Sequence, residues 1–96
     1  MKIKTKNGFE CNINERRLKD WRYVKAAAKI NNGNEADILD AVTFAVPFLL
    51  QDEEEALISF VEEDGAVDTE KLLAEFLDIT RIAGEKIKKS QSSLSS

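Results

Sequence analysis

The chain has 96 residues, 43% of them apolar, and a net charge of −4. This length fits one small domain, and the composition excludes global disorder. With no His, one Cys and no Gly-rich phosphate loop, it offers little for acid–base or nucleotide chemistry.

Residues 2–6 and 9–13 alternate around Asn7-Gly8, which predicts a β-hairpin. A strict two-residue turn pairs Lys6 with Phe9 and turns the lysines onto the apolar face. A three-residue loop, Lys6-Asn7-Gly8 with Gly8 left-handed, pairs Thr5 with Phe9 instead. Ile3, Thr5, Phe9, Cys11 and Ile13 then share one face, so this register is preferred. Residues 1–13 lack the apolar segment of a signal peptide. The lone Cys11 has no disulfide partner within the chain, which fits a reducing, intracellular setting.

Asn14 is a suitable N-cap, and one helix is expected from there to Asn31 or Asn32, with Gly33 as its stop. Leu18, Trp21, Val24 and Ala28 recur at helical spacing and form its expected buried stripe. Tyr23 and Ile30 fall on another face. Asn34 caps a second helix whose core stripe is Ile38, Leu39, Val42, Ala45, Val46 and Leu49, widened by Ala41, Phe44 and Phe48. Its end, residues 41–50, is AVTFAVPFLL, a ten-residue run without charge that is too short to span a bilayer. Pro47 lacks an N–H, so the helix kinks or stops near Val46.

Asp52 caps a third helix over 53–63, with Ala56, Leu57, Phe60 and Val61 facing the core and Asp64-Gly65 ending it. Asp68 or Thr69 caps a fourth helix to about Lys89. Its stripe is Leu72, Phe76, Ile79, Ala83 and Ile87, widened by Leu73, Leu77 and Thr80, with Ile82 on the polar side. The reading is an α+β domain, mainly α: residues 1–89 form an N-terminal β-hairpin packed on a three- to four-helix bundle. Residues 90–96, SQSSLSS, form a low-complexity tail expected to be disordered.

Charge is unevenly spread. Residues 1–31 carry nine Lys/Arg against three acids, whereas residues 32–80 carry one Lys against fourteen acids. Such asymmetry suits pairing of the two halves, or of two copies. The acid clusters at 52–55 and 62–64 read as solvated helix ends, and Cys11 as a small buried hydrophobe with no His to activate it. The segment 62–68 lacks the ligand spacing of a calcium loop. No catalytic residue, metal or cofactor is therefore expected.

Nucleic acid is a competing partner, through Arg16, Arg17, Lys19, Arg22, Lys25 and Lys29. The acidic remainder and the core phase of Trp21 speak against it. Protein binding through apolar surface is preferred, because four short helices do not enclose every large apolar side chain of this chain. The expected contact residues are Phe44, Phe48, Leu49 and Leu50, with Tyr23, Ile30 and Ile82 as secondary positions.

Asn7-Gly8-Phe9, Leu18-Lys19-Asp20-Trp21, the segment 43–50 and the segment 64–71 (DGAVDTEK) carry a resemblance. In order and character the chain resembles the small tail assembly chaperones of long-tailed bacteriophages and prophages of Gram-positive hosts. Asp68 stands where many relatives are expected to have Pro. The resemblance implies a mostly helical, cytoplasmic protein of the host cell that binds the tape measure protein before the tail tube polymerises. It further implies self-association into a homo-oligomer and a longer product made by a frameshift near Lys88-Lys89. The alternatives are a nucleic-acid-associated phage regulator and a homo-oligomeric structural protein of the virion.

Overall fold

Alternation of apolar and polar residues sets the first element. In the computed structural model, which describes the backbone of residues 1–95 and the side chains of residues 1–88, β1 (Lys2–Lys4) pairs antiparallel with β2 (Glu10–Asn12). Ile3 lies opposite Cys11, and the ladder continues through Thr5 N–H, which donates to Phe9 O at 2.8 Å. Gly8 takes φ +96° and donates to Thr5 O at 3.0 Å, closing the three-residue loop expected. Ile3, Thr5, Phe9, Cys11 and Ile13 are all buried. Burial, and then the charge of Glu53, push the Cys11 thiol up to about 11, which leaves it inert at neutral pH.

The single helix expected over 15–32 is broken. α1 (Glu15–Leu18) is one turn capped by Asn14, whose side chain accepts from Arg16 N–H at 2.9 Å. The chain then extends at Asp20 (φ −69°, ψ 135°) and restarts as α2 (Trp21–Asn32), with Asp20 Oδ1 accepting from Arg22 N–H at 2.8 Å. The break resets the helical phase. Tyr23 and Ala26 are buried, while Trp21 is 70% and Val24 43% exposed, and Ala28 is exposed too. Only Leu18 of the expected stripe reaches the core.

Asn34 caps α3 (Glu35–Leu50) by accepting from Asp37 N–H at 2.9 Å. The helix passes through Pro47 and ends at Leu50. Pro47 and Thr43 are both exposed, so the helix bond that Pro47 cannot donate to the Thr43 carbonyl is missing on the solvent side rather than in the core. Ala41, Val42, Ala45, Val46, Leu49 and Leu50 are buried, whereas Leu39 is 44% exposed. Arg22, early in α2, lies over Phe48, late in α3, so the two helices form an antiparallel pair.

A 3₁₀ turn (Gln51–Glu53) leads into α4 (Glu54–Val61). Glu53 reaches back, its Oε2 accepting from Asn12 N–H at 2.7 Å. Leu57 and Val61 are buried, while Ala56 and Phe60 are exposed. α4 stops at Val61, earlier than expected, because residues 62–67 form a second hairpin. β3 (Glu62–Glu63) pairs with β4 (Ala66–Val67) around Asp64-Gly65, at φ +53° and +79°. Two consecutive positive φ values are what a primed two-residue turn requires.

Asp68 caps α5 (Thr69–Ser95), its Oδ1 accepting from Glu70 N–H at 2.9 Å. Phe76, Ile79 and Ala83 are buried and Leu72, Leu73 and Ile87 half-buried, so the expected stripe faces the core. Leu77, expected to widen it, is 42% exposed. The serine-rich tail expected to be disordered, 90–96, falls outside the residues whose side chains are described. The fold is mainly helical with an N-terminal hairpin, and its centre is Ile3, Ile13, Leu49, Leu50, Leu57, Phe76 and Ile79.

Candidate partner-binding surfaces

Phe44 and Phe48 lie one turn apart on α3 and stack, their ring centroids 5.1 Å apart and their planes at 23°. Phe44 is 39% exposed; Phe48 is half-buried. Two guanidinium groups shield Phe48, Arg17 at 4.8 Å and Arg22 at 5.3 Å from its centroid. Arg17 also donates through Nη1 to the Phe48 carbonyl at 3.2 Å, fastening α1 to the end of α3. Arg22 is fixed from the other side, donating through Nη2 to Asp20 Oδ2 at 2.9 Å. Hydrogen bonds from the Arg22 side chain, and then its backbone, hold the Asp20 carboxyl down at about 2.

Leu49 and Leu50 do not belong to this surface. They are 1% and 2% exposed, because α3 turns them inward beside Val42, Ala45 and Val46. Tyr23 is also a core residue, and burial raises its phenol above the usual value. Its edge reaches a cleft between α2 and α5, lined also by Ala27, Ile30, Asn31, Leu77, Thr80 and Arg81. The structure thus brings Tyr23 and Ile30 together, with half-buried Ile82 outside that cleft.

A second groove, of about 230 Å³, runs between α2 and α3. Arg22, Lys25, Ala26 and Lys29 line it from α2, and Asp40, Ala41 and Phe44 from α3. Among the described residues no carboxylate comes within 4.0 Å of Lys25 or Lys29.

Trp21, Val24, Leu39, Phe60 and Leu77 are large exposed apolar residues that the periodicity had assigned to the core. Phe60 leans on Phe9 at 5.3 Å and leaves its other side to solvent. Asp20 is the signal for Trp21: an N-cap residue directly before it starts a new helical phase. Among the described residues no His, Cys, Asp and Glu side chains group as a metal site, and no helix is long and apolar enough to cross a membrane. No family model, curated protein or solved structure matches this chain.

Proposed function

We propose that the chain is a non-catalytic tail assembly chaperone of a phage or prophage, holding hydrophobic helical segments of the tape measure protein. One observation carries the reading: Trp21, Val24, Leu39, Phe44, Phe60 and Leu77 remain exposed around a core that is already complete. Large apolar side chains left in water are the kind of anchor a binding protein uses, and six of them in 96 residues support a partner. The sequence resemblance supplies the partner's identity. Action in the host cytoplasm, self-association and a longer frameshifted product belong to the same proposal.

Co-expression of the chain with tape measure fragments tests it. Retention of a fragment that otherwise aggregates is the expected result, and failure of every fragment to co-purify overturns it. Purified particles lacking the chain distinguish a chaperone from a virion component.

Nucleic-acid binding gains support from one feature. Trp21 is no core residue: its indole lies 70% exposed, next to Arg22 and one turn from Lys25. An exposed ring among cations suits base stacking with phosphate contacts. Salt separates the two readings. Phosphate binding weakens steeply as salt rises, whereas an apolar contact holds or strengthens in sulfate.

A further inference from the structure

We infer that the groove between α2 and α3 docks an acidic amphipathic helix, with its apolar edge on Ala26, Ala41 and Phe44 and its carboxylates on Lys25 and Lys29. The inference rests on the chaperone reading for its biological setting and adds the chemistry of the segment held.

The floor of the groove decides what fits. Ala26 and Ala41 are small and nearly covered, so they form a shallow apolar floor on which a side chain can rest. Phe44 stands beside them as an exposed apolar wall. The α2 rim is a rail of cations at 22, 25 and 29, spaced three and four apart on one side of the helix. Arg22 is already committed to Asp20. Lys25 and Lys29 have no ion-pair partner among the described residues, and carboxylates one turn apart on a docked helix match that spacing.

The opposite wall selects against other ligands. Asp40 lines the groove without closing to ion-pair distance of Lys29. It repels a carboxylate placed on the α3 side, so the acids of the partner must lie along the α2 edge alone. A phosphate backbone, charged along its whole length, meets the same repulsion and finds an apolar floor. The combination of attraction on one wall and repulsion on the other favours a helix with one acidic edge over a uniform polyanion.

The test uses three dye-labelled helical peptides with one leucine stripe, flanked by Glu, Gln or Lys, titrated into the full chain by fluorescence anisotropy. The Glu peptide is expected to bind at least about tenfold more tightly than the Lys peptide. Lys25→Glu/Lys29→Glu, at two exposed positions, should invert that order, and Phe44→Ala should weaken the Glu peptide about tenfold. Equal binding of Glu and Lys peptides overturns the inference. So does displacement of the Glu peptide by a single-stranded oligonucleotide, or loss of self-association on charge reversal, which would make a second copy the occupant. Retention of a tape measure fragment without any charge preference defeats the groove assignment and leaves the chaperone reading standing. Charge preference without retention of any fragment does the reverse.

Discussion

The Thr5 hydroxyl donates to Glu75 Oε1 across 70 positions of sequence, and both side chains are 3% exposed. The same hydroxyl accepts from Phe9 N–H at 3.0 Å, while Glu75 Oε2 accepts from Asn7 Nδ2 at 2.9 Å. One buried carboxylate on α5 thereby holds the loop of the first hairpin. Two-stranded hairpins are marginal alone, and this anchorage, with apolar packing, compensates. Glu75→Ala removes the acceptor and leaves the Thr5 hydroxyl without its buried partner. Urea unfolding should show a loss of about 1–3 kcal/mol. Glu75→Gln keeps the volume and one carbonyl oxygen, and should lose less. Thr5→Val combined with Glu75→Ala should cost less than the sum of the two single changes.

Acid should loosen the same attachment through Asp78. Its Oδ2 accepts from Lys6 N–H at 2.9 Å, and its Oδ1 accepts from Arg81 Nη2 at 2.6 Å. The Lys6 backbone bond first, then the Arg81 side-chain bond, holds the Asp78 carboxyl below the usual aspartate value. A folded-state pKa below the unfolded one stabilises the fold at pH above the unfolded value, about 3.9. That contribution is lost as pH falls towards and through the lower folded value. Asp20 titrates in the same direction, so wild type keeps an acid slope from more than one group. Asp78→Asn should flatten the decline of stability below pH ~4 without changing its shape above neutrality. Denaturation midpoints measured across acid pH check this; an unaltered acid limb would mean that the Asp78 bonds do not stabilise the folded state.

Trp21 is the only tryptophan in the chain, so its fluorescence reports one place. An indole 70% exposed should emit at the red, hydrated end of its range and be readily quenched by small solutes. Arg22 is neutralised by Asp20, but Lys19 and Lys25, neither ion-paired among the described residues, flank Trp21 in the sequence and favour anions over cations there. Iodide should therefore quench more efficiently than caesium, with the gap closing as inert salt screens the field. A blue-shifted emission shielded from both ions would place Trp21 under cover, as the simple periodicity had it.

Local chemistry made the first hairpin and three of the caps readable, while Asp52 makes no capping bond and a missed break misplaced the surface. Asn7-Gly8 and the alternation around it define a register that the structure keeps, because only that register buries Ile3 and Ile13 together. Asn14, Asn34 and Asp68 act as caps for the reason their short polar side chains suggest. Asp20 is equally a cap, yet the apolar spacing of Leu18, Trp21 and Val24 runs across it as though the helix were continuous. Treating 15–32 as one helix turns Trp21 inward and Tyr23 outward, the reverse of the structure. Asp64-Gly65 carried a hairpin signal as strong as Asn7-Gly8, but the strands it joins are two residues each and leave no alternation to read. Glu75 and Asp78 were invisible for a different reason: acids on a helix read as solvent-facing until the hairpin that covers them is in place.

The apolar segment 41–50 divides sharply by face, and that division is measurable. Leu49 and Leu50 lie in the core, whereas Phe44 stands on the groove rim. Leu49→Ala removes contacts from a site that has no room to collapse freely, and should cost about 2–5 kcal/mol in chemical denaturation. Phe44→Ala removes a ring that is 39% exposed, and its cost should be well below that of Leu49→Ala. Partner capture should show the opposite ranking. Phe44→Asp should keep the helical circular dichroism of wild type and release the bound helix, because a carboxylate then faces the side of the groove already occupied by Asp40. Leu49→Asp should unfold the domain, since it buries a charge with no partner. Measured together, helicity and binding separate the two roles: a Phe44→Asp variant that stays folded and still captures its partner would move the contact surface away from this groove.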